Sequence, residues 1–109
     1  MQDAIKKLLI DIYSDYERWV NRGPNAESEN CKAMKQRFKT GLSFSEGPKY
    51  IRIINDGSVW AFIVKNDDGK FRRGDVLKAA GWKTPARNQA RGNILDGYAP
   101  RWLGPATLR

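Results

Sequence analysis

The stretch that decides the fold is YIRIINDGSVWAFIVK, which runs from Tyr50 to Lys65. Two runs of β-branched and aromatic residues flank Asn55-Asp56-Gly57, and an Asp-Gly pair favours a tight hairpin because both residues tolerate positive φ. The second run, Ser58 to Lys65, is apolar on both faces, which is typical of a strand inside a sheet. The stretch therefore predicts a β-hairpin whose second strand is central.

The sheet is expected to extend in both directions from this hairpin. Upstream, apolar residues alternate with polar or small ones from Phe38 to Phe44, which predicts a half-buried strand that ends at the Glu46-Gly47-Pro48 turn. Downstream, Asp67-Asp68-Gly69 marks another hairpin turn, and we favour a strand over a short helix for Asp75 to Trp82. The succession of turn signals predicts an antiparallel meander of about four strands over residues 37–82.

An N-terminal amphipathic helix is predicted over residues 3–22. Apolar side chains recur there at three- and four-residue steps, and Gly23-Pro24 gives the stop signal. We interpret this apolar stripe as core. Residues 25–35 are polar and weakly patterned, so we expect a loop with at most a short helical turn.

A short C-terminal helix is predicted over residues 84–95, because Thr84-Pro85 is typical of an N-cap followed by a first helical residue. Residues 96–109 are expected to form an irregular tail that Trp102 and Leu103 hold against the body. Together these elements predict a single α+β domain spanning residues 1–109.

The composition is ordinary for a globular protein, with 40% hydrophobic and 29% charged residues in a 109-residue chain. Cys31 is the single cysteine, so neither an intrachain disulfide nor a thiolate metal cluster is expected. Charged residues interrupt the segment from Met1 to Val20, which argues against a signal-peptide core and a membrane span. We therefore expect a cytoplasmic protein that does not bind a membrane.

The positive charge is concentrated in one part of the chain. Residues 49–92 hold ten basic and four acidic residues, so they carry +6 of the total net charge of +8. Residues 1–48 hold eight basic and seven acidic residues and contribute only +1. A local excess of this kind attracts polyanions, which predicts an acidic partner for the 49–92 segment.

The sequence contains few residues suited to act as catalytic acids, bases or nucleophiles. Histidine is absent, which removes the commonest general base and metal ligand. Asp67-Asp68 flanks a turn glycine and is better interpreted as a solvated turn than as a metal site, and Asp56, Asp75 and Asp96, each beside a glycine, are interpreted in the same way. A carboxylate nuclease built on Asp75 and Lys78 is the nearest enzymatic alternative. We therefore expect no enzyme activity, no metal and no cofactor.

Nucleic-acid binding is the function that the basic segment predicts. Proteins that hold single strands place Lys and Arg along the phosphates and aromatic rings against the bases. Residues 70–91 contain seven basic residues with Phe71 and Trp82 among them. A core position is the equally weighted alternative for Trp82.

The predicted helix after Pro85 adds to this surface. Arg87 and Arg91 would share one of its faces, and the Asn88 amide would reach a base edge or a phosphate. Single-stranded DNA or RNA is favoured over double-stranded DNA. The full set of predicted contact residues is Lys49, Arg52, Lys70, Arg72, Arg73, Lys78, Trp82, Lys83, Arg87, Asn88 and Arg91.

The segment GDVLKAAGWKTPAR at residues 74–87, followed by ARGNILD at residues 90–96, resembles small uncharacterised proteins of tailed bacteriophages. In those proteins a hairpin similar to SVWAFI at residues 58–63 precedes a GD-hydrophobic-hydrophobic-KAASW-x-x-PA segment, and Gly81 stands here in place of the usual Ser. The GPATLR sequence at residues 104–109 also looks familiar in that setting. The resemblance covers about residues 49–109 and leaves the N-terminal helix unmatched.

The resemblance implies a phage origin and the host cytoplasm as location, and it transfers no catalytic residue. It leaves open an alternative to nucleic-acid binding, namely a host-directed inhibitor or adaptor that docks on an acidic surface of a host protein. A minor structural component of the phage particle is a third alternative.

Overall fold

The predicted α+β class is confirmed: two helices accompany a four-stranded antiparallel sheet, whose order β1-β2-β3-β4 follows the chain. The computed structural model describes residues 2–25, 27–87, 90–96, 98 and 100. The elements are α1 (Gln2–Asn21), α2 (Glu29–Gly41), β1 (Leu42–Glu46), β2 (Tyr50–Asn55), β3 (Ser58–Val64), β4 (Val76–Leu77) and a 3₁₀ turn (Ile94–Asp96).

Helix α1 forms as predicted, because its apolar residues repeat with the helical period. Ile5, Leu8 and Ile12 are buried on its inner face, where they join Ile51 and Ile53 of β2 in one hydrophobic cluster. This contact covers one face of the sheet. None of the helices that the structure describes is long and apolar enough to cross a membrane.

Helix α2 takes up residues 29–35 of the loop predicted at residues 25–35, together with the start of the strand predicted from Phe38. The Ser28 side chain caps it by accepting a hydrogen bond from the Cys31 backbone N–H at 3.2 Å. Phe38 is its one buried residue, and its ring stacks on that of Tyr16 with centroids 3.9 Å apart. The strand therefore starts only at Leu42.

The β2–β3 hairpin is confirmed. Asp56 and Gly57 both have positive φ, 48° and 83°, as a tight turn of this type requires. A bulge follows, because Ile53 pairs with Ala61 while Ile54 pairs with Val59. The extra residue of β3, Trp60, joins the cluster beneath α1.

A second cluster covers the other face of the sheet. Phe62 and Val64 of β3 pack there with Leu77 and with Phe71, which belongs to the loop after β3. Strand β3 thus lies between β2 and β4 and is buried on both faces, as its apolar run predicts.

The short helix predicted over residues 84–95 does not form at residues 84–87 and 90–93, and only Ile94 and Leu95 are helical, as part of the 3₁₀ turn. Pro85 instead forms a β-bridge with Ala79, and Asn93 forms one with Asp75. The local helical signal at Thr84-Pro85 is outweighed by the sheet. The outer edge of β4 has backbone N–H and C=O groups that need hydrogen-bond partners. The described parts of residues 85–93, which we call the edge strap, supply those partners.

Candidate nucleic-acid interface

Trp82 lies at the tip of a tight turn between β4 and the edge strap. The backbone N–H groups of Ala80 and Gly81 both donate to the Thr84 carbonyl, at 2.9 and 3.1 Å, which fixes the turn. The Trp82 side chain is 47% exposed, so the alternative that placed it in the core is wrong. The turn therefore holds the Trp82 indole at the surface.

Arg52 lies directly against this indole. It pairs with Ser45 of β1 and Phe62 of β3, so it lies on the sheet face opposite the helices, because residues paired across strands share a face. Its guanidinium carbon is 4.9 Å from the centre of the Trp82 ring, a cation–π contact. The structure thus brings together two predicted contact residues that are 30 positions apart.

Lys70 and Arg87 form a separate group around Phe71. Phe71 is buried, so it is part of the second core and offers no stacking surface. The Arg87 guanidinium lies 5.0 Å from the centre of its ring, and the Lys70 ammonium lies 5.4 Å from it. Lys70 also donates to the Arg87 carbonyl.

Arg87 is bound within the fold rather than free for a ligand. Its guanidinium donates to Asp68 at 2.9 Å and to the Tyr50 hydroxyl, and these hydrogen bonds raise the pKa of Arg87. Hydrogen bonds from the Phe71 N–H and from Arg87 lower the pKa of Asp68. The contact therefore ties the loop after β3 to the edge strap.

Arg72 is likewise held in an ion pair within the fold. Its guanidinium lies 2.6 Å from an Asp96 carboxylate oxygen, and this hydrogen-bonded pair raises the pKa of Arg72. The Arg73 side chain is exposed, whereas its backbone N–H donates to Asp67 at 2.7 Å. Asp67 thus organises the loop by accepting this backbone N–H.

Asp75 is buried, 8% exposed, so its interpretation as a solvated turn residue is wrong. One carboxylate oxygen accepts from the Arg72 backbone N–H and the other from the Asn93 side chain, both at 2.9 Å. Because these contacts engage both oxygens of Asp75, they give no support to a nuclease built on Asp75 and Lys78. In the described ranges no three His, Cys, Asp or Glu residues are placed to hold a metal ion.

The remaining predicted residues differ in their availability. Lys49, Lys78 and Lys83 are exposed and form no ion pair with any described residue. Arg91 is half-buried in the edge strap and shares no helix face with Arg87, because that helix is absent there. Asn88, like Trp102 and Leu103 of the predicted tail, lies outside the described residues.

A second exposed tryptophan escaped the sequence prediction. Trp19 belongs to the apolar repeat of residues 3–22 that we interpreted as core, yet it is 50% exposed. It lines a shallow groove of about 490 Å³ together with Met34, Phe38 and Arg37. The spacing of Trp19 fits the apolar stripe, and only the position of α2 shows that its ring reaches the surface.

The fold and the Arg52–Trp82 contact define a small basic α+β protein with an exposed aromatic site on its sheet. The chain belongs to a family of unknown function, DUF7717, whose model matches residues 2–103. That match includes helix α1, which the resemblance to phage proteins left out. Neither the curated proteins nor the solved structures contain a match.

Proposed function

We propose that this protein binds single-stranded nucleic acid, with the Arg52–Trp82 contact as the base-binding site. The observation that carries the proposal is the half-exposed Trp82 ring, held on a tight turn with a guanidinium against it. Bases of a single strand can stack on such a ring, and each stacked base contributes about 1–3 kcal/mol. Bases inside a duplex are already stacked on one another, which favours single strands over double-stranded DNA.

The exposed cations supply the phosphate contacts of this proposal. Lys83 follows Trp82 directly, and Lys49, Arg73 and Lys78 are also exposed and without ion pairs among the described residues. We no longer assign Arg72 and Arg87 to the phosphates, because Asp96 and Asp68 already pair with them. For four phosphate contacts the affinity for a single strand should fall roughly fifty-fold between about 50 and 200 mM salt.

Fluorescence anisotropy with labelled single-stranded DNA, RNA and duplex DNA, titrated at several salt concentrations, tests the proposal. Trp82→Ala should weaken single-strand binding roughly 5- to 150-fold, the equivalent of one stacked base. Trp19→Ala is the matched control, because it removes an equally exposed indole from α1. Absence of salt-dependent binding to every probe, or an equal loss in both variants, would refute the assignment.

A phage origin and a location in the host cytoplasm form the biological part of the proposal. Their support is the resemblance of residues 74–87 and 90–96 to small phage proteins. In that setting a single-strand binder would act on replicating or transcribed nucleic acid in the infected cell.

The host-directed adaptor is the second candidate, and the groove at Trp19 favours it. An exposed Trp and Met beside Arg37 have the composition of a protein-binding patch, since such residues are enriched at the centres of interfaces. A pull-down from nuclease-treated host lysate separates the two candidates. A stoichiometric partner that Trp19→Ala abolishes and Trp82→Ala retains would favour the adaptor.

A further inference from the structure

The two edges of the sheet are treated differently by the fold. At β4 the edge strap occupies the outer edge: Ala86 and Arg91 donate to the Lys78 and Val76 carbonyls at 2.7 Å, and Val76 donates to Gly92 at 2.9 Å. At β1 no described residue pairs with the outer edge beyond Leu42, whose N–H donates back to Lys39. Among the described residues, the sheet is therefore closed along β4 and open along β1.

The hydrogen-bond pattern shows which backbone groups of β1 point outward. At its two ends, Gly47 donates to Tyr50 and Gly41 accepts from Asp56, both at 2.9 Å. Inter-strand bonds alternate along an antiparallel ladder, so Ser43 and Ser45 also face β2. The N–H and C=O of Phe44, the N–H and C=O of Glu46 and the C=O of Leu42 consequently face outward.

Strand β1 also lacks the usual protection of an edge. Natural edge strands are commonly blocked by Lys, Pro, a bulge or extreme shortness. The five-residue strand LSFSE contains no Lys or Pro, its one charged residue, Glu46, is paired with Lys65 of the same sheet region, and the bulge lies between β2 and β3. Its central residue, Phe44, is 39% exposed on the face that carries the helices, since it pairs with Ile53.

We propose that a second copy of this chain pairs antiparallel with β1 and joins the two sheets into one continuous sheet. In this pairing Phe44 lies opposite Phe44 of the second copy, and Leu42 lies opposite Glu46. The outward-facing backbone groups of one strand therefore meet the outward-facing groups of the other. Two hydrogen bonds then join the Phe44 backbones, and each Glu46 N–H donates to a Leu42 carbonyl. The two Phe44 rings meet beside the two-fold axis as an aromatic cross-strand pair.

A second copy fits this edge because pairing centred on Phe44 satisfies the outward groups of both strands and brings the two exposed Phe44 rings together, whereas an unrelated extended peptide offers only the backbone pairing. The contact is small, so a weak dimer with a dissociation constant on the order of micromolar is expected. The two-fold axis runs perpendicular to the sheet, which places both Arg52–Trp82 contacts on the same face. This inference goes beyond the proposed function and does not depend on it.

Sedimentation analysis from low micromolar to millimolar protein tests the proposal. The chain should pass from monomer to dimer, and added salt should strengthen the dimer because each copy carries a net charge of +8. Phe44→Lys should weaken dimerisation at least roughly tenfold, since it places two like charges at the axis. Ile10→Lys is the control, because it introduces the same charge at an exposed apolar residue of α1, away from the β1 edge.

Hydrogen exchange of the unaltered protein gives an independent readout. The amides of Phe44 and Glu46 should gain protection as concentration rises, while those of Ser43 and Ser45, already bonded to β2, should not change. A monomer at every concentration overturns the proposal, as does a dimer that leaves the Phe44 amide unprotected or responds equally to both lysine variants. A monomer that instead binds extended peptides along β1 also overturns it.

Discussion

Replacement of Asn93 by Ala should cost more stability than its position in an irregular segment suggests. The side-chain N–H₂ of Asn93 donates to Asp75 and to the Arg73 carbonyl, both at 2.9 Å, and its oxygen accepts from the Leu95 N–H at 2.8 Å. Both Asn93 and Asp75 are buried. The substitution therefore leaves a buried carboxylate oxygen without its partner.

The magnitude follows from these three contacts. The bond to the carboxylate contributes about 1.5–3 kcal/mol, and each of the other two about 0.5–1.5 kcal/mol. Arg73 and Leu95 are exposed residues, so water can replace Asn93 at their backbone groups after the substitution. We therefore take the contribution of each of these two bonds at the lower end of its range. The expected loss is about 3 kcal/mol, a large share of the ~5–15 kcal/mol that stabilises a typical domain.

Urea unfolding followed by tryptophan fluorescence measures this loss. Asn30→Ala is the control, because Asn30 is exposed on α2, and it should change stability by less than about 0.5 kcal/mol. Because Asp75 and Asn93 share a hydrogen bond, the double variant with Asp75→Ala should lose less than the sum of the single losses. A loss below about 1 kcal/mol for Asn93→Ala would refute the reasoning.

Three further predictions concern other parts of the fold. Gly74→Ala should destabilise by at least about 1 kcal/mol more than Gly57→Ala in the same urea assay, because both glycines have positive φ but only at Gly74 would a Cβ approach another atom, the Asn93 oxygen, to 2.7 Å. Because the folded-state pKa of Asp68 is lowered, its contribution to stability is present above its ordinary value of 3.8 and is lost as the pH falls through the lowered value. Asp68→Asn should remove the loss of stability that protonation of Asp68 causes in the acid unfolding profile. A profile identical to that of the unaltered protein would contradict this prediction. Ile53→Ala should cost about 2–5 kcal/mol, since Ile53 of β2 is fully buried in the cluster that includes the inner face of α1. A loss under about 1 kcal/mol would show that this core contact is misplaced.

The parts of the fold that were predictable are those where local pattern and tertiary packing agree. The helical period of α1 and the Asp56-Gly57 turn each demand one structure, and both form. Helix α2 was missed because it buries only Phe38, so it has almost no apolar stripe to detect. The usable signal was Ser28 as an N-cap residue followed by the acidic Glu29.

The sequence predicted which residue types make up the candidate site, but it did not predict which of them lie in contact. Charge pattern located the basic segment, but no local rule says that Arg52 meets Trp82 or that Arg87 is held by Asp68. Those contacts depend on how the chain after β4 folds back over the sheet. Pro85 illustrates the difficulty, because a residue that suits a first helical position also suits a sheet edge.

The late position of Phe71, β4 and the edge strap in the chain has a consequence during synthesis. The chain from α1 to β3 is made first, and it already contains both helices and three strands. Phe62 and Val64 then face water, because Phe71 and Leu77, which cover them, have not yet been added. For that interval the nascent chain exposes an apolar sheet face with both neighbouring edges open, which is the state in which chains aggregate most readily. Synthesis of residues 65–93, which include Phe71, β4 and the edge strap, covers that apolar face and closes the β4 side of the sheet.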